Sequence, residues 1–170
     1  MLLFFDSLHI PKNFRRRAGG LEISVDQAFD ACLEGIQAQH EQCWLISELT
    51  SVFRKMRPGA SFDTTIHSIE LWEGDVLVAG EIGFANGGCY SSLSGFYTKS
   101  GMGTVQLVAA AALLKKLGFE FWNLGMPMAY KERLGAQAAD RRLFSSLYLP
   151  ARDLPCRLAS SRVPVLHFFC

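Results

Sequence analysis

The sequence predicts an α/β chain built on a central, mostly antiparallel sheet flanked by helices, and three observations predict it. Between residues 66 and 97, β-branched and aromatic runs are separated by two turn signals, Glu73-Gly74-Asp75 and Asn86-Gly87-Gly88, which together specify a three-stranded meander. Residues 104–117 are apolar nearly all round, through Val105, Leu107, Val108, four successive alanines, Leu113 and Leu114. Gly118 follows as a stop, so a helix there must lie buried against the sheet. Residues 119–124, Phe-Glu-Phe-Trp-Asn-Leu, then read as a further strand.

The elements ahead of the meander follow in order. Met1-Leu2-Leu3-Phe4-Phe5 is apolar but is cut by Asp6 and His9 and has no basic residues before it. It is too short for a signal peptide and reads as an edge strand. Pro11 suits the first position of a short helix, after which Lys12, Arg15 and Arg16 recur at i, i+3 and i+4 with Arg17 beside them, placing four cations on one face. Gly19-Gly20 ends that segment, and Leu21-Glu22-Ile23 is extended. Ser24 and Gln27 have capping-box spacing, and Val25, Ala28, Phe29, Cys32, Leu33 and Ile36 keep helical spacing on one face. Trp44-Leu45-Ile46 is extended, and Ser47 caps a second helix to about Met56, stopped by Pro58-Gly59 before a loop to Asp63.

Beyond the sheet, residues 130–135 form a short helix. After Phe144 periodicity is lost and Pro150, Pro155 and Pro164 interrupt the chain. The expected organisation is one domain over residues 1–144, with residues 145–170 an irregular or partly disordered tail, or else a cover for the core.

Composition narrows the function classes. With 170 residues, 49% of them apolar, the chain can fill one substantial core. Charged residues are 19% and the net charge is +1, so nothing attracts the whole molecule to nucleic acid or an anionic membrane, and any basic site must be local. The five cysteines, Cys32, Cys43, Cys89, Cys156 and Cys170, are odd in number and form no CxxC pair. His9, His40, His67 and His167 are equally dispersed, so neither a disulfide framework nor a metal site is expected, and a reducing cytoplasm fits best. No stretch approaches the length of a membrane span.

The meander, the Gly-opened buried helix at Ser100-Gly101-Met102-Gly103-Thr104 and the following strand together resemble the acetyltransferase-like (GNAT) fold. More narrowly, five segments in order resemble leucyl/phenylalanyl-tRNA protein transferases over residues 6–144. They are Ser7-Leu8-His9-Ile10-Pro11-Lys12, residues 24–29 (Ser-Val-Asp-x-Ala-Phe), Trp44-Leu45-Ile46, Ser68-Ile69-Glu70-Leu71-Trp72, and Leu134-Gly135-Ala136 with Arg141-Arg142-x-Phe144. The resemblance implies transfer of an amino acid from the 3′ end of a charged tRNA to the N-terminal amine of a protein, which marks that protein for degradation in an N-degron pathway. It implies no cofactor, because the aminoacyl ester is already activated and the amine needs only positioning, deprotonation and charge stabilisation.

The resemblance also implies roles. Lys12, Arg15, Arg16 and Arg17 would meet the acceptor stem, and Trp44 would stack on the terminal adenosine. Tyr90, Ser92, Leu93, Gly95, Val108 and Trp122 would wall a pocket between two strands for the transferred side chain. This chain departs from the pattern where chemistry is expected: Leu93 stands at a glutamate position, and Asn123 and Gly125 stand at those of an aspartate and a glutamine. Glu81, at a position usually apolar, returns a carboxylate nearby. The expected catalytic set is therefore Glu81, Asn123 and Ser94, with Glu81 recognising or deprotonating the acceptor amine. Two other roles for Glu81 stay open, selection of a polar or basic aminoacyl group and a purely structural one.

The family's small N-terminal domain is expected to be missing ahead of Asp6, and a monomer is favoured. Two other functions remain open on the sequence: an acyl-CoA N-acetyltransferase using the turn at Gly101 to hold a pyrophosphate, and a noncatalytic binder of tRNA or N-degrons.

Overall fold

The computed structural model describes residues 1–39, 44–59 and 64–169; His40, Cys43, Cys170 and the end of the loop to Asp63 lie outside the described residues. Seven strands form one sheet: β1 (Leu2–Leu3), β2 (Leu21–Val25), β3 (Thr65–Glu73), β4 (Val76–Asn86), β5 (Cys89–Tyr97), β6 (Phe121–Asn123) and β7 (Val163–Pro164). Their order is β1-β6-β5-β4-β3-β2-β7. Among the described residues only β5 and β6 are parallel. The helices are α1 (Phe14–Ala18), α2 (Phe29–Gln39), α3 (Ser47–Lys55), α4 (Met102–Lys116), α5 (Ala129–Arg133) and α6 (Arg141–Ala151). This is the acetyltransferase-like arrangement expected, a meander followed by a crossover helix and a parallel strand. No helix among the described residues is long and apolar enough to cross a membrane.

Alternation along the strands sets two large core clusters on the two faces of the sheet, and a third, smaller one gathers Leu2, Cys89, Phe121 and Ala151. One cluster joins Ile23, Val25, Ile69, Leu71 and Tyr90 to Val105, Val108 and Leu113 of α4. The other joins Ile66, Ile82 and Phe96 to Phe29, Cys32, Leu33 and Ile36 of α2. The helix α4 is buried at Ala109, Ala110 and Ala111, small residues that let it lie close on the sheet, as its sequence required.

Four sequence expectations change, the simplest being Ser47, which opens α3 without capping it and donates from Oγ to Glu48 Oε2 at 2.9 Å. Ser24 does not cap α2: it lies within β2, and its Oγ donates to Glu70 Oε2 at 2.5 Å. The helix begins five residues later, after Asp26 turns the chain at φ 59°. Glu70, fully buried, explains the change. Its Oε1 also accepts from Ser68 Oγ (2.5 Å) and the Ala28 N–H (3.2 Å), and Trp72 Nε1 donates to Ser24 Oγ (2.8 Å). A buried carboxylate outcompetes the helix end for the serine.

Pro11 precedes α1 rather than opening it, its carbonyl accepting from the Phe14 N–H at 2.9 Å. The chain after Phe144 is also more regular than its prolines suggested. The helix α6, capped by Asp140 Oδ1 on the Leu143 N–H (2.8 Å), continues to Ala151, with Pro150 in its last turn. The strand β7 then pairs with β2, and Val165 joins the α4-side core.

Candidate functional site at a fork between two strands

The sheet opens between β5 and β6. The two strands pair at three positions, Cys89↔Phe121, Tyr90↔Trp122 and Ser91↔Asn123, and then part, because β6 ends while β5 continues to Tyr97. Beyond the parting, Lys131 of α5 holds the departing loop, its Nζ donating to the carbonyls of Leu124 (2.5 Å) and Met126 (3.0 Å). The carbonyl between those two, that of Gly125, accepts from the Met1 amine at 2.6 Å.

On the α4 side of the fork three polar groups form a line. Trp122 Nε1 donates to Ser92 Oγ (2.8 Å), and Ser92 Oγ donates to Glu81 Oε2 (2.8 Å). Glu81 is 4% exposed, and its other oxygen, Oε1, has no hydrogen-bond partner; nor do the Tyr90 hydroxyl and Gln106 Nε2 beside it. Burial pushes the Glu81 carboxyl up to about 8, against the opposing pull of Ser92, Tyr90, Lys131 and Gln106. Tyr90 and Gln106 therefore come close enough to influence the carboxyl, yet neither closes a well-directed bond onto Oε1. The Tyr90 hydroxyl is held well above its ordinary pKa by burial and then by the Glu81 charge. It lies over Gly83, where a Cβ would fall 2.5 Å from it, so the position admits only glycine.

The other expected site residues divide around this line. Gly95 pairs with Glu81 and shares its face, and Val108 is wholly buried in the α4-side core. Leu93 does not join them. It is the extra residue of a bulge between the pairs Ser92↔Gly83 and Ser94↔Ile82, and it packs against the α2-side cluster. Ser94, paired with Ile82 of that same cluster, faces away from Glu81. Asn123 stands at the parting, paired with Ser91. Its Nδ2 donates to Ser91 Oγ (3.3 Å) and its Oδ1 accepts from the Gly125 N–H (3.0 Å). It lines a cavity of about 310 Å³ with Asp140, Arg141 and Phe144.

A second cavity, of about 410 Å³, lies over the N-terminal end of α4 and is lined by His9, Asn13, Arg17, Thr104, Tyr130 and Arg133. Of the four expected cations, Arg17 reaches it. Its guanidinium lies over Gly101, where a Cβ would fall 1.7 Å from Nη1, and the φ of 86° at Gly101 is what calls for a glycine in the turn into α4. Arg15 donates to the Phe169 carbonyl at 2.5 Å, and Lys12 and Arg16 are exposed nearby in the chain. Trp44 is 44% exposed, edge-on to Phe53, on the α2 side of the sheet. Leu45 beside it is tied to Gln37 near the end of α2 (2.7 Å), and Gln39 accepts from the Tyr97 N–H (2.8 Å).

Sequence reasoning missed Lys131, Gln106, Tyr130 and Arg133. Gln106 left a signal, as the one amide in an apolar helix face. Lys131 left none, because Lys131-Glu132-Arg133 reads as a solvated turn.

The chain is similar in sequence to known proteins over most of its length. The profile of the family "Leucyl/phenylalanyl-tRNA protein transferase" matches residues 2–148. A leucyl/phenylalanyl-tRNA protein transferase from Synechococcus sp. (strain JA-3-3Ab) is 29% identical over 89% of this chain and 78% of its own length. Those of Oleidesulfovibrio alaskensis and Nitratidesulfovibrio vulgaris (strain DP4) are 26% and 30% identical, each over 96% of this chain and over 68% and 70% of their own lengths. The fork, its buried carboxylate and the basic groove therefore belong to a member of the leucyl/phenylalanyl-tRNA protein transferase family, a family of aminoacyltransferases.

Proposed function

We propose that this chain moves an amino acid of the leucyl or phenylalanyl kind from the 3′ end of charged tRNA to the N-terminal amine of a protein, acting as a cytoplasmic monomer and marking its product for degradation. The observation that carries this reading is the parting of β5 and β6 beside the Glu81–Ser92–Trp122 line, next to a groove holding Arg17 and Arg133.

In this reading Arg17, with Lys12, Arg15 and Arg16 outside the groove, meets phosphates of the acceptor end, and Trp44 stacks on the terminal base for about 1–3 kcal/mol. Tyr90, Gly95 and Trp122 at the fork border the donor's side chain, and Val108 supports them from within the α4-side core. Glu81 takes the proton of the incoming ammonium. Its pKa of about 8 lies in the range of an α-amino group, so the transfer is close to even in free energy. Ser92 holds the carboxylate by one oxygen and leaves the other for the amine, a role that Ser94, turned toward α2, is not placed to share. Asn123 orients groups from the far side of the fork.

The test is transfer from a mixed pool of radiolabelled aminoacyl-tRNAs to a peptide with N-terminal Arg. Label from leucyl- or phenylalanyl-tRNA is expected on the peptide, and its absence for every aminoacyl-tRNA overturns the reading. Arg17→Ala is expected to weaken tRNA binding in filter assays and to reduce the slope of log affinity against log salt by about 1, one phosphate contact fewer.

A further inference from the structure

We propose that Lys131 stabilises the oxyanion formed when the acceptor amine adds to the aminoacyl ester carbonyl. The proposal rests on the transferase reading above and supplies what that reading lacks, a positive group facing the reacting carbonyl.

Three observations carry it. Lys131 is only 8% exposed, unusual for a lysine, and sits where the two strands part. Its ammonium has three donors, and the carbonyls of Leu124 and Met126 take two, which leaves one N–H for a ligand. Across the fork, Glu81 and Lys131 each act on the other's charge, yet they do not close an ion pair; their hydrogen bonds go to Ser92 and to the two carbonyls instead. A cation and a carboxylate are thus held apart, each with an unspent position. In this proposal the ester and the amine enter between the two, with the proton taken at Glu81 and the negative oxygen held at Lys131. Fixing the ammonium on two backbone carbonyls before reaction also removes the reorganisation that water would need.

The step balances. The amine, having given one proton to Glu81, forms a C–N bond to the ester carbon, and the carbonyl electrons move onto oxygen beside Lys131. When the carbonyl re-forms, the bond to the ribose oxygen breaks. That oxygen leaves with a proton, supplied from the nitrogen or returned by Glu81, and amide and free tRNA result. Lys131 changes no covalent bond.

A merely structural tie would also use a lysine here, so the test must separate the two roles. Transfer from leucyl- or phenylalanyl-tRNA to an N-terminal-Arg peptide is measured for the full chain and for Lys131→Met and Lys131→Arg, with kcat, KM and thermal unfolding of each. Lys131→Met is expected to lower kcat about 100-fold or more with KM within about threefold, and Lys131→Arg to recover at least about a tenth of the loss. The wild-type kcat is expected to fall at alkaline pH as Lys131 loses its proton, at a value below that of a free lysine because burial lowers it and Glu81 only partly opposes. The other titratable groups facing it are Tyr130 of α5 and the Met1 amine; Glu81 governs the acid limb.

A Met variant with kcat within about threefold of wild type, or one whose loss lies in KM, overturns the proposal and leaves the transferase reading intact. If the Met variant does not fold, the wild-type profile decides: kcat holding level to about pH 10.5, where a free lysine titrates, overturns it. A wild type that transfers from no aminoacyl-tRNA overturns both.

Discussion

Glu81→Gln is expected to lower kcat for aminoacyl transfer by about 10²- to 10⁴-fold, the range ascribed to a lost general base. The amide keeps the volume and can still accept from Ser92, so folding and tRNA affinity stay near wild type while proton acceptance is lost. The pH profile makes the assignment specific. Wild-type kcat should rise on the acid side through a pKa near 8, the value at which burial holds this carboxyl, and the variant's residual rate should not follow that curve. A variant rate within about threefold of wild type removes Glu81 from the chemistry.

The same shift has a stability consequence of definite sign. The folded state keeps the Glu81 proton up to about pH 8, whereas the unfolded chain releases it near 4.5. The contribution is therefore fully present below the unfolded value and is lost as pH rises through the folded one, by up to roughly 1.4 kcal/mol per pH unit in between. Urea denaturation at a series of pH values should show this decline in wild type and a flatter dependence in Glu81→Gln.

The second large effect concerns the other buried carboxylate. Glu70→Ala is expected to destabilise the fold by about 3–5 kcal/mol, measured as a lower urea midpoint, because it strands the hydroxyls of Ser24 and Ser68 and the Ala28 N–H in the interior. Loss of Ser24's partner also frees the oxygen on which Trp72 rests, so β2, β3 and the start of α2 loosen together. Burial raises the Glu70 pKa, with Ser24 and Ser68 opposing it. An unchanged midpoint in Glu70→Ala would show that these groups find water instead.

The contrast between the two carboxylates shows where sequence reasoning reaches and where it stops. The meander, the buried α4 and the strand after it were legible because period-two alternation, Gly turns and an unbroken apolar helix leave few alternatives. Glu70 was visible only as part of a motif, and its role as a clamp depended on Ser24, 46 positions away in sequence. That long-range bond is also why the capping box failed, since local spacing cannot reveal a stronger distant partner. Glu81 was identifiable as a carboxylate where an apolar residue is usual, and Tyr90 and Ser92 were expected beside it, but Gln106 and Lys131 were not. Gln106 arrives on α4 and Lys131 on a five-residue helix, brought in by crossover topology rather than by spacing. Ser94 and Leu93 were placed by the resemblance alone, and one irregularity in β5 turns both away from Glu81.

That irregularity decides what Glu81 faces. Counting without interruption from Ser92 opposite Gly83, residue 94 would come to stand across from residue 81, and a serine hydroxyl would be at hand to occupy the idle oxygen. Because one additional amino acid is spliced into the strand, the place opposite Glu81 falls to Gly95 instead, and a hydrogen atom takes the room a hydroxyl would have filled. A single miscounted step in the ladder thus keeps the acid hungry for a proton.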